Sequence, residues 1–182
     1  MTKAIQPRAG DSGKKKRRPA LPDLLGNGGE IPYATTLHVR DTCLCLHVQR
    51  AARALARRFD EALRPVDLTN GQFSLLMSLN RPQPPGIGAV AEVLAMDRTT
   101  LTAALKPLER RGLVAINPDP ADKRGRLLTL TREGKKRLKA ALPIWVEEHR
   151  ALDESLPDTP AGRAPERLRA SLLALSRSES TR

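Results

Sequence analysis

The sequence predicts a mainly α-helical chain with one small β-hairpin, and three observations carry that expectation. Apolar residues recur at three- and four-residue spacing from Leu37 to Leu108, the signature of amphipathic helices. Thr69, Asp97 and Thr131 stand where helix caps belong. Two β-prone runs, Leu113–Asn117 and Leu127–Leu130, follow one another across a polar link, which is a hairpin pattern.

In chain order, residues 1–34 mix Lys, Arg, Pro and Gly with almost no periodic apolar pattern, so they predict a flexible basic tail. From Leu37 to Leu63, the residues Leu44, Val48, Ala51, Leu55, Phe59 and Leu63 form one stripe. A single helix over this span would be about 40 Å long at ~1.5 Å per residue, too long for one small lobe to cover, and Pro65 stops it. Thr69 and Gln72 fit a capping box with Leu68 and Phe73 as its hydrophobic staple, starting a helix that runs to about Asn80. Arg81 to Gly86 holds three prolines and must be a loop. Ile87 to Leu94 then gives a short helix with Val90, Val93 and Leu94 inward. Asp97 caps the next helix, buried through Leu101, Leu105 and Leu108 and ended by Gly112. Pro107 lies inside it and removes a backbone bond, at a cost of about 3 kcal/mol or a bend. Thr131 caps a basic helix carrying Lys135, Lys136 and Lys139, with Pro143 as a kink. Leu168, Leu172, Leu173 and Leu175 form the stripe of a closing helix.

The two short helices followed by a hairpin make a winged helix-turn-helix, and the charge is placed to match. The chain has 182 residues and a net charge of +12, enough for one domain with tails. Residues 98–139 hold 12 basic and 4 acidic side chains, or +8. Such a localised basic footprint suits a polyanion, because neutralising phosphates releases counterions. On the helix after Asp97, the residues Thr99, Thr102, Ala103, Lys106 and Arg110 face outward. Threonine can bond base edges or touch a thymine methyl, and the longer cations can reach phosphates or guanine. Lys123, Arg124 and Arg126 on the hairpin tip make a wing suited to the minor groove. Asp122 is placed to hold Arg124, as an ion pair or a turn residue.

Five segments, taken together, resemble the MarR family of winged-helix regulators: Leu68-Thr69 with Gln72, Asp97 to Thr102, Leu108 to Val114, Asp119 to Arg124, and Leu130 to Gly134. They occur in the family's order and cover roughly residues 36–156. The resemblance implies an obligate homodimer with interleaved terminal helices, two DNA-reading lobes on a near-palindromic duplex, and repression relieved by a small molecule or oxidant. It makes the helix from Arg98 to Arg111 the recognition helix. The DNA-binding residues are then Arg98, Thr99, Thr100, Thr102, Lys106, Arg110, Lys123, Arg124 and Arg126, with Asp122 supporting the wing. The organisation expected is a tail over 1–34 and a winged-helix domain over 35–156. Within that domain the DNA-binding lobe spans about 66–131, flanked by dimerisation helices over 36–64 and 132–156. Residues 157–182 supply a further dimerisation helix.

Other function classes find less support. No apolar run approaches the ~20 residues of a membrane helix, and no apolar stretch follows the basic N-terminus as in a signal peptide, so a cytoplasmic protein is expected. Cys43, Cys45 and His47 are candidates for redox or ligand sensing. In a continuous helix Cys43 and Cys45 point about 200° apart, which disfavours a bond between them. Two buried small hydrophobes are the plainer expectation. No metal spacing, phosphate loop or nucleophile motif is present, so no metal, cofactor or enzyme activity is expected. The competing reading is a sequence-tolerant architectural DNA- or RNA-binding protein that uses the basic tail.

Overall fold

The computed structural model describes residues 30–122, 124–158 and 164–177. Most of the expected basic tail, and Lys123, therefore lie outside the described residues. The chain divides between Arg50 and Ala51 into two compact units.

In the N-terminal unit, helix α1 spans Tyr33–Thr42, beginning two residues inside the span expected as a tail. Helix α2 follows over Leu44–Leu63 and continues into the second unit. The single helix expected from Leu37 is thus two. Cys43 takes extended backbone, φ −69° and ψ 107°, and ends α1 there. The amide of Cys43 still donates to the Val39 carbonyl (2.8 Å), and its carbonyl accepts from His47 (3.1 Å). The break therefore leaves its own backbone groups satisfied.

The second unit is built on α3 (Asn70–Ser78), α4 (Ile87–Val93), α5 (Arg98–Arg110), β1 (Val114–Pro118), β2 (Arg126–Leu130), α6 (Arg132–Glu154) and α7 (Ala164–Arg177). After α2, Pro65 sits at the start of a 3-10 turn over Arg64–Val66, where its missing N–H costs nothing. Thr69 caps α3 with both bonds of the capping box formed. The Asn70 amide, another orphan donor of that helix start, reaches Asp60 Oδ1 on α2 at 2.7 Å.

One apolar core joins these elements: Leu63, Phe73, Leu76, Val90, Leu101, Leu105, Leu108, Leu113, Leu128 and Leu138 are all buried in it. Val93, expected inward, is 59% exposed, and Ala91 is buried in its place. A seven-residue helix makes two turns, too few for periodicity to fix its face. Pro107 does not break α5, which runs through it to Arg110 with Leu105 and Leu108 fully buried on either side. Likewise α6 continues through Pro143. The strands pair antiparallel with Val114 opposite Leu130 and Pro118 opposite Arg126. A third short segment joins them, since the Leu128 amide donates to the Pro85 carbonyl at 2.9 Å and Gly86 bridges Leu127.

Two glycines are required by geometry. Gly112 has φ +66° and turns the chain out of α5. At Gly134 a Cβ would lie 2.0 Å from the Leu113 carbonyl oxygen, so α6 can start against the base of the hairpin only without a side chain.

Candidate nucleic-acid interface

The turn between α4 and α5 sets the angle at which α5 is presented. Ala95 takes the left-handed conformation, φ 49°, and the Met96 amide closes back on the Ala91 carbonyl at 2.9 Å. Asp97 then caps α5: Oδ1 accepts from the Thr100 amide at 2.8 Å and Oδ2 from the Thr100 hydroxyl at 2.5 Å. These bonds, that from the hydroxyl first, hold the Asp97 carboxyl below the usual carboxylate range. Thr100 is therefore committed to the cap, although it stays exposed.

Along α5, Thr99, Thr102, Ala103, Lys106 and Arg110 are all exposed on the face opposite the buried leucines, as their spacing predicts. The Thr102 hydroxyl donates to the Arg98 carbonyl at 2.7 Å. Its hydrogen is thus used within the helix, which leaves the hydroxyl oxygen as an acceptor. Among the described residues, Lys106, Arg110 and Arg124 have no ion-pair partner.

Two aspartates turn the described part of the wing tip back on itself. Asp119 Oδ1 accepts from the Ala121 amide at 2.9 Å, and Asp122 Oδ1 accepts from the Arg124 amide at 2.9 Å. Asp122 therefore holds Arg124 through its main chain and leaves the guanidinium exposed; of the two roles expected for it, it takes that of turn residue. Gly125 completes the tip, where a Cβ would come within 2.9 Å of Asp119 Cβ.

A groove of about 520 Å³ brings α5 and the wing together, lined by Arg98 and Thr102 of α5 and by Asp119, Asp122, Arg124 and Arg126 of the wing. Sequence reasoning missed Gly88, also in the groove: a Cβ there would lie 3.2 Å from Arg98 Nη2, so the glycine makes room for that guanidinium. A glycine inside a short helix with no cap or turn to serve was the available signal. Lys123 lies outside the described residues.

The sensing candidates belong to the N-terminal unit. Cys43 is half-buried and Cys45 exposed, so neither is the buried hydrophobe expected. His47 Nδ1 lies 2.8 Å from the Cys43 carbonyl oxygen. With Cys43 outside both helices, the 200° separation that disfavoured a bond to Cys45 does not apply. Among the described residues no group of His, Cys, Asp or Glu could hold a metal ion, and no helix is long and apolar enough to cross a membrane.

A capped helix, a tight turn, an exposed second helix and a two-stranded wing define a winged helix-turn-helix protein. The MarR family model matches residues 68–125. The transcriptional regulator HosA of Escherichia coli is 44% identical over 80 residues, 43% of this chain and 58% of that regulator, so the match spans little more than half the relative's length. The transcriptional regulator MosR of M. tuberculosis, solved in complex with DNA, superposes with a TM-score of 0.66 at 33% identity, covering 75% of this chain and 96% of that one. The transcriptional repressor CouR, bound to a 23-mer DNA duplex, gives 0.61 at 27% identity over 80% of this chain and 97% of its own. The chain belongs to the MarR family, whose members are transcriptional regulators and not enzymes.

Proposed function

We propose that this chain is a sequence-specific DNA-binding transcriptional repressor of the cytoplasm that binds a near-palindromic operator as a homodimer. The observation that carries the reading is the groove in which Arg98 and Thr102 of α5 face Arg124 and Arg126 of the wing. In this reading α5 enters the major groove, where Thr99, Thr102 and Arg98 meet base edges and Lys106 and Arg110 meet phosphates. The wing arginines follow the adjacent minor groove. MosR and CouR, each solved on DNA with this fold, support the assignment.

The dimer rests on apolar surface a single chain leaves open. Of the α2 stripe only Phe59 and Leu63 are buried, while Leu44, Val48 and Leu55 are exposed. On α7, Leu168, Leu172, Leu173 and Leu175 are 41–50% exposed. Two-fold symmetry would place the recognition helices about one DNA turn, ~34 Å, apart or a small multiple of it.

Release by a small molecule would act through a pocket beside the helix-turn-helix. A cavity of about 390 Å³ lies between α3, α4 and α6, walled by Phe73, Met77, Val93, Leu94, Leu142 and Trp145. A ligand there presses on the end of α4 and so on the turn that aims α5. Oxidation at Cys43 or Cys45 is the second route, open because neither thiol is buried. A salt-titrated comparison of the chain's own upstream region with scrambled DNA tests the function. Preference for the former is expected, and equal affinities would favour the architectural or RNA-binding alternative. Peroxide treatment that leaves operator affinity unchanged would remove the oxidant route.

A further inference from the structure

Two arginines from different helices converge on Asp67, a residue the DNA-reading face does not use. Asp67 ends the 3-10 turn after α2 in the left-handed conformation, φ 52° and ψ 48°, which L side chains rarely adopt and glycine adopts freely. Arg111, which caps the C-terminus of α5, donates from Nη2 both to the Asp67 carbonyl at 2.5 Å and to its Oδ2 at 2.6 Å. Nη1 of the same guanidinium donates to Gln72 Oε1 at 3.2 Å, the atom that also accepts from the Thr69 amide in the capping box of α3. From α6, Arg137 donates to the Val66 carbonyl at 2.9 Å and stands 3.6 Å from Asp67 Oδ2. The turn after α2, the start of α3, the end of α5 and the first turns of α6 are therefore tied together through Arg111 and Arg137, which both approach the Asp67 carboxylate, Arg137 also standing 3.5 Å from Glu133.

We infer that Asp67 is a positioning residue, clamping the C-terminal end of the recognition helix to the turn after α2 and so fixing the half-site spacing the dimer reads. The inference rests on the reading of the chain as a dimeric operator-binding regulator. The core leucines hold α5 along one face only, and Arg111 is the charged tie at its end. A 13-residue helix is about 20 Å long. Releasing its end by ~5° would move the far end by about 2 Å, and twice that between two symmetric lobes, comparable to the ~3.4 Å rise of one base pair. The side chain of Arg111 is 29% exposed and that of Arg137 28%, so these charged bonds are partly shielded from water, while Asp67 itself stays open.

Asp67→Gly separates positioning from folding, because glycine suits the left-handed backbone while losing the carboxylate. Full-length protein is titrated on the operator and on versions with half-sites moved one base pair closer or further apart. Wild type should prefer the native spacing by about tenfold, the size of a single-step penalty. Asp67→Gly should reduce that preference to about threefold or less with its melting temperature unchanged or raised. Asp67→Asn, which keeps an acceptor and tolerates the same backbone, should recover most of it. Arg111→Lys, which loses the planar fork, should match Asp67→Gly. A glycine variant with intact spacing preference, or with equal losses at every spacing, would overturn the inference. A wild type that binds operator and scrambled DNA alike would overturn the functional reading instead, and the inference with it.

Discussion

At the scale of single residues, the proposed interface divides into side chains that face outward and side chains that hold them. Arg124 is of the first kind, its backbone fixed by Asp122 and its guanidinium open. Arg124→Ala should weaken operator binding by about 1–3 kcal/mol, the range for one well-placed contact, with its melting curve unchanged. Equal affinity would take the wing out of the mechanism. Thr102→Ala should change base preference and leave stability intact, and a lower melting temperature with the same preference would make Thr102 structural. Asp97 is of the holding kind. Its folded pKa lies below the usual aspartate range because the Thr100 hydroxyl and amide donate to it. Its stabilising effect is therefore complete above the ordinary aspartate pKa, near ~4, and is lost as pH falls through the lower folded value. In acid melts below about pH 4, wild type should lose stability more steeply than Asp97→Asn, and parallel curves would show that the cap carries no such linkage. These caps were legible in the sequence because each rests on contacts within three residues.

At the scale of elements, the sequence located most helices and the hairpin, and the departures have local causes. The break at Cys43 carries neither glycine nor proline, so nothing in Thr42-Cys43-Leu44 announces it. The left-handed Ala95 is equally silent, since alanine normally avoids that region. The outward face of Val93 follows from the shortness of α4. By contrast, the strand spans were recoverable to within one residue at each end, Val114–Pro118 against the expected Leu113–Asn117 and Arg126–Leu130 against the expected Leu127–Leu130. The packing of α6 on the base of the hairpin was not recoverable, because the close approach at Gly134, where a Cβ would lie 2.0 Å from the Leu113 carbonyl oxygen, joins residues 21 positions apart. Gly134→Ala should cost about 3 kcal/mol or more, as overpacking against rigid backbone does. A denaturant midpoint close to wild type would show that α6 shifts without penalty.

At the scale of the whole molecule, the arrangement of charge and apolar surface separates two roles. Arg98 of α5 lines one groove with Arg124 and Arg126 of the wing, together with Asp119 and Asp122, and the exposed leucines belong to α2 and α7. Sequence alone named the side chains of both surfaces. It did not supply their geometry, since the groove depends on Gly88 and Gly125 making room and the tie at Asp67 depends on Arg111 and Arg137 arriving from 44 and 70 positions away. If the open leucines pair two chains, sedimentation equilibrium should return twice the 19.9 kDa chain mass. Leu168→Glu combined with Leu172→Glu should shift it toward one chain. A wild-type monomer would leave the α2 stripe without an explanation.

On this reading two grooves of one dimer bind one duplex. Titration of wild-type protein on a duplex from its own upstream region, against a scrambled duplex of equal length at fixed salt, tests it directly. Two chains per duplex and operator binding tighter by at least about 10³ are expected. Equal affinity for the two duplexes would contradict it.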